Sequence, residues 1–231
     1  MQTSSQTRSI LRAALIVSSF LLPPSSFLRA AELSTPDRVA FLQKMKERSA
    51  KSPSMQADFT EERTSHLLNK PIVSEGIVAF QSPDRFRREI KGANTSLTVC
   101  DGRTLWIYYP NFKEVEIYAL GHQKFLDESI NALTAGLNFD RIDEFYQFRA
   151  HNEEGGYRLV LTPKRPNLKR VMQQLTVWMT ADLFVQKTDL VLAKGDRVMT
   201  VFKNTRRVPL PASQFEFTPP ADAHVSRPLG K

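Results

Sequence analysis

The chain has 231 residues and one cysteine, Cys100. A single cysteine excludes an internal disulfide framework. It reads as a small apolar residue beside a hairpin, with a reactive thiol as the other reading. Long apolar runs are also missing. The one run of note, Ala13–Leu22, is too short to span a bilayer, and no cysteine follows it to carry a lipid anchor. The sequence has no Gly-x-Ser-x-Gly elbow, no His-Glu-x-x-His pair and no phosphate-cradling glycine loop. Its four histidines, His66, His122, His151 and His224, lie far apart without ligand spacing. These absences predict a protein that is not an enzyme, with no metal and no cofactor.

What is present begins with an export signal. Arg8 and Arg12 precede the apolar run, Pro23-Pro24 break it, and Ala30-Ala31 offer a cleavage site. The expected division is a signal peptide over 1–31 and a single soluble domain over 32–231, a monomer in the periplasm. The formal net charge is +8, and removing Arg8, Arg12 and Arg29 leaves 29 basic against 24 acidic residues, or +5. That charge favours anionic surfaces. Export and the scatter of the cations argue against nucleic acid as a partner.

After the signal, Thr35-Pro36-Asp37 starts a helix, with Val39, Phe41, Leu42 and Met45 at helical spacing. It fades over 48–54, where Pro53 stops it. Strands follow over 55–64, 71–81 and 85–90. Three more lie within Ser96–Tyr118. Asp101-Gly102 is the two-residue hairpin signal between the first two of these and reads as a turn device, not a catalytic acid. A helical stretch is predicted over 123–137, carrying Phe125, Ile130 and Leu133, and a short one over 140–145. Strands resume over 146–150, 157–162, 175–179, 185–192 and 198–203.

The segment Thr104–Tyr109 is the most telling. Leu105 and Ile107 point one way, Trp106 and Tyr108 the other, and both faces are apolar. A sheet with one face in water would alternate polar and apolar. Another layer of protein or an apolar ligand must cover the second face. A strongly curved sheet whose concave face is covered by the helices meets both needs and encloses an apolar cavity. Trp106 and Tyr108 then line the cavity or fill a core. Phe80, Phe86 and Ile90 read as core by default. The cluster Arg85, Arg87, Arg88 and Lys91 reads as a solvated face, or as a docking patch for anionic headgroups or an acidic partner.

The pieces QADFTEER, EGIVAFQSPDRFRREI, VCDGRTLWIYYP, LVLTPK and FEFTPP, in this order and spacing, resemble the periplasmic outer-membrane lipoprotein carriers, the LolA family. The likeness runs from about Leu33 to Val225, and Val99–Pro110 is its most specific block. It implies a mainly β (α+β) fold, an unclosed antiparallel β-barrel with a helical lid over an apolar cavity. It also implies a carrier that takes acylated lipoproteins from an inner-membrane ABC exporter to an outer-membrane receptor. By this resemblance the cavity and lid residues are Val78, Phe80, Phe86, Arg88, Ile90, Leu97, Val99, Leu105, Trp106, Ile107, Tyr108, Phe125, Ile130 and Leu133. Other readings are a carrier of another lipid, or an interaction module that senses lipoproteins. The chain departs from the family at Ser82, where familiar members place an arginine that bonds to the lid. Arg88 stands where they often have an aromatic residue; the lid is expected to be held either by Arg88 or by the apolar packing of Phe125, Ile130 and Leu133 alone.

Overall fold

The computed structural model describes residues 31–121 and 142–228. The predicted signal up to Ala30 and the predicted helical stretch with Phe125, Ile130 and Leu133 lie outside these residues. The strands are β1 (Ala31–Glu32), β2 (Ser54–Thr64), β3 (Ile72–Gln81), β4 (Arg85–Lys91), β5 (Ser96–Asp101), β6 (Thr104–Tyr109) and β7 (Glu114–Ala119). Farther along come β8 (Tyr146–Glu153), β9 (Gly156–Pro163), β10 (Met172–Thr180), β11 (Val185–Leu192), β12 (Arg197–Arg206) and β13 (His224–Ser226). All join one curved, unclosed sheet in the order β1-β8-β9-β10-β11-β12-β2-β3-β4-β5-β6-β7-β13. Two meanders meet where β12 pairs antiparallel with β2. Each outer edge is blunted by a terminal segment: β1 pairs with β8, and β13 runs parallel to β7. Covering an edge removes a row of free backbone groups that would otherwise recruit another strand.

Helix α1 (Thr35–Lys51) forms for reasons visible in the sequence. The Ser34 hydroxyl accepts from the Asp37 amide at 3.4 Å, Pro36 sits in the first turn, and Arg48 and Lys51 stand in the last turn. Acidic Asp37 in the first turn and the two cations in the last suit the two ends of the helix dipole. Phe41 and Met45, one turn apart, face the sheet and are buried among Leu159, Leu161, Leu175, Val177 and Met179. Each such side chain contributes about 1.5–3 kcal/mol on burial. Val39, expected on that stripe, is 61 % exposed. Its position is two short of Phe41 on a 3.6-residue period, which turns it away from the sheet.

The hairpin between β5 and β6 is built as the sequence suggested. Gly102 has φ +92°, and the Asp101 carboxylate accepts from the Arg103 and Thr104 amides at 2.7 Å each. Gly76 serves a different purpose. A β-carbon there would lie 1.9 Å from the Glu89 carbonyl oxygen and 2.8 Å from the Phe59 ring, so only glycine lets β3 and β4 approach this closely.

Cys100 is fully buried, and its thiol donates to the Asp84 carbonyl at 3.3 Å. Burial, reinforced by Asp84 and Asp101, pushes its pKa up to about 11 against a smaller lowering by the Gly102 backbone. The thiolate is therefore scarce at neutral pH. Ellman's reagent at pH 8 is expected to leave Cys100 unmodified in the folded protein and to titrate it after addition of guanidinium. Rapid labelling of the native chain would contradict this placement.

Candidate functional site

In an antiparallel pair, residues directly opposite each other share a face, and successive residues alternate. The register from β2 to β7 therefore sorts the predicted residues. Met55 pairs with Phe80, Phe80 with Phe86, Phe86 with Cys100, and Cys100 with Leu105. Two residues along the same strands, Ala57 pairs with Val78, Val78 with Arg88, Arg88 with Thr98, and Thr98 with Ile107. Ile90 follows on the same side, opposite Gly76. Val78, Phe80, Phe86, Arg88, Ile90, Leu105 and Ile107 thus share one face. The register carries that face through Phe59 and Phe202 into β12, and the side on which α1 packs continues it over β8–β10.

This inner face holds two apolar clusters. Met55, Phe80, Phe86, Cys100 and Leu105 form one, with Ile107, Tyr118 and Leu120 packed against it. Ala57, Phe59 and Val78 form the other, with Ile90 and Phe202 beside them. Where this face meets the end of α1 there is a cavity of about 40 Å³, bordered by Met45, Met55, Phe80 and Met179. Ligand pockets usually run to about 300–1,000 Å³. This cavity is thus too small for an acyl chain, whereas Arg88, Ile90 and Ile107 farther along the face are only half-buried among the described residues.

Arg88 has a partner that the sequence reading did not name. Its Nη2 donates to Glu61 Oε2 at 2.8 Å, and its guanidinium lies 4.7 Å from the centre of the Phe59 ring. The Thr200 hydroxyl donates to the same carboxylate oxygen at 3.4 Å. Among the described residues Arg88 is held across the sheet by β2; its expected bond to helical segment 123–137 lies outside them. Glu61 faces inward because it stands two residues beyond Phe59, a position that charge alone would have assigned to solvent. A charge-assisted bond of this kind, three-quarters screened from water, contributes roughly 1.5–3 kcal/mol.

Leu97, Val99, Trp106 and Tyr108 do not join this face. Leu97 pairs with Tyr108, and Val99 with Trp106, on the opposite side of β5 and β6. Their cover is the C-terminal tail. Phe215, in the 3-10 turn Ala212–Phe215, packs on β4 and β5 and is fully buried. The Phe217 ring stands 5.6 Å from that of Tyr108. The tail is then pinned as the His224 amide donates to the Lys113 carbonyl at 2.7 Å, opening the pairing of β13 with β7. The second apolar face of β6 is thus covered by protein, the first of the two options its sequence required. The signal for this was the alternation Phe215-Glu216-Phe217, which the prolines around it obscured.

Against known proteins, a family model described as "Outer membrane lipoprotein carrier protein LolA" matches residues 50–218. An outer-membrane lipoprotein carrier protein of Dechloromonas aromatica is 30% identical over 185 residues, covering 74% of this chain and 80% of that protein. One from Proteus mirabilis is 27% identical over 186 residues, covering 79% and 86%. Among solved structures, a LolA superfamily protein from Nitrosomonas europaea aligns with a TM-score of 0.44 at 12% identity, covering 78% of this chain and 97% of that one.

Proposed function

Because the chain belongs to the LolA family of outer membrane lipoprotein carrier proteins, we propose that it is a periplasmic carrier holding the acyl chains of a lipoprotein on the inner face of its sheet. The observation that carries this reading is the continuous apolar surface from Met55 through Phe80 and Phe86 to Leu105 and Ile107, all on one side of the sheet. In this reading the chain is exported with a cleaved signal, receives its cargo from an inner-membrane exporter and releases it at the outer membrane.

The physical difficulty for such a carrier is release. Each buried CH₂ contributes about 0.8 kcal/mol, so a long chain bound in a ready-made apolar pocket would scarcely leave. Here Phe80, Phe86, Cys100 and Leu105 on that face are buried against one another. A cargo chain that displaces any of them gives up that packing and its release recovers it, which moderates the net affinity. The Arg88–Glu61 pair adds a polar patch to the wall, where an acyl chain gains nothing from burial.

The test is a release assay. Inner-membrane vesicles carrying a tagged lipoprotein, a cognate exporter and ATP are incubated with the purified mature chain. The tagged lipoprotein is expected to appear in the soluble fraction, bound to this protein. If it stays in the membrane while a proven carrier releases it, the lipoprotein reading fails. Mass spectrometry of the apolar material that copurifies from the periplasm would then identify the other lipid.

A further inference from the structure

Next to the inner face, the structure holds a pair of cations that no part of the carrier reading uses. Arg48 comes from the last turn of α1 and Arg207 from the segment just after β12. Both guanidinium groups lie over one ring, that of Phe184, at 5.7 Å and 4.3 Å from its centre. Arg207 Nη2 donates to the Leu183 carbonyl at 2.8 Å. Arg48 Nε and Arg207 Nη1 are buried and have no hydrogen-bond partner among the described residues. Both residues border the 40 Å³ cavity, together with Ser49, Ser52 and Ser54, and no acidic residue lines it.

That arrangement is unfavourable as it stands. A buried donor without an acceptor costs about 1–3 kcal/mol, and two like charges in one cavity repel. Burial, followed by the charge of Arg48, lowers the pKa of Arg207, and Asp182 offsets only part of this. An anion in the cavity would relieve both costs. The C-terminus of α1 opposes an anion with roughly half a negative charge, but two full positive charges outweigh it. The guanidinium fork matches phosphate oxygens, and the neighbouring Ser49 and Ser52 carry hydroxyls that can donate to the remainder.

We infer that the cavity between Arg48 and Arg207 is a phosphate-binding site, with Ser49 and Ser52 beside it as hydroxyl donors. Met55 and Phe80 form its other wall and also belong to the inner apolar cluster. A phosphate seated there can therefore be the headgroup of an amphiphile whose chains continue along the inner face. Free phosphate offers the same chemistry. The headgroup source rests on the acyl-binding reading given above, whereas the phosphate site itself does not.

Calorimetric titration of the mature chain separates these sources. Inorganic phosphate is titrated in one arm and a short-chain phosphatidylglycerol in the other. Arg48→Gln and Arg207→Gln are each expected to weaken binding tenfold or more, and Arg206→Gln, at an exposed neighbour, to leave it unchanged. Tighter binding of the phospholipid assigns the site to a headgroup. Equal binding assigns it to free phosphate and removes the link to the inner face. Should Arg207→Gln fail to fold, the parent chain still reports: phosphate is expected to raise its Tm above that in chloride at matched ionic strength. No heat with either ligand together with no such rise, or binding untouched by both substitutions, overturns the site.

Discussion

Ile107→Glu is expected to weaken binding of a fluorescent fatty-acyl probe about tenfold or more, while Trp106→Gln on the same strand leaves it within twofold. The two residues are adjacent, so solubility, expression and local strand propensity change comparably. Their faces differ. Ile107 is half-buried on the inner face, packed against the cluster of Phe80, Phe86 and Leu105. Trp106 lies on the outer face, opposite Val99. A carboxylate at position 107 would have to be desolvated against an acyl chain, or would hold water where the chain must lie. Either costs more than the roughly 1.4 kcal/mol that a tenfold change requires. Position 107 is preferable to Phe86 for this test, because Phe86 is only 6 % exposed and a charge there threatens the fold itself. Equal loss from both substitutions would mean that the two faces are not functionally distinct.

Phe215→Ala is expected to destabilise the protein by about 3–5 kcal/mol, the usual cost of emptying a fully buried phenylalanine site. Against a total of about 5–15 kcal/mol for a domain, that is a large share. The urea midpoint should fall with little change in slope. The reason lies in the outer face of β4–β6. Phe215 is fully buried there, and Val99 and Val115 on the same face of the sheet are equally inaccessible. A companion change, Phe217→Ala, removes a half-buried ring that flanks Tyr108, and a smaller loss is expected. If Phe215→Ala unfolds at the parent's midpoint, the tail is an ornament and the outer face is stable without it. Acyl binding by the folded fraction of Phe215→Ala should persist, since the tail is on the far side of the sheet from the proposed cargo.

Local chemistry was readable along the chain. Ser34, Pro36 and Asp37 specify the start of α1 through groups within one turn of each other. Asp101-Gly102 specifies its hairpin through one carboxylate and one positive φ. Val185–Leu192 was predicted with its observed limits, and Ser54–Thr64, Ile72–Gln81 and Arg85–Lys91 within one or two residues at each end. Other pieces were not foreseen. The helical turn Pro166–Val171, the edge strand Ala31–Glu32 and the strand His224–Ser226 are short, and each exists because a neighbouring edge or loop supplies its partner.

Two matters were decided only by the tertiary structure. The period of two separates Leu105 and Ile107 from Trp106 and Tyr108, but it carries no sign: it cannot say which set faces inward. The pairing chain from Met55 to Leu105 and the docking of the tail 212–226 settle this, and they divide the predicted site between two surfaces. The second matter is charge. Arg88 reads as a solvated or lid-binding cation, and the Glu61 carboxylate that β2 brings within 2.8 Å of it has no signal in the sequence. Arg48 and Arg207, 159 positions apart by their numbers, read as unrelated surface charges until both lie over Phe184. Alternation, capping and turn chemistry act between near neighbours, so the sequence alone determined them. The sense of a face and the partner of a charge depend on which distant strands become adjacent, so they are properties of the folded chain.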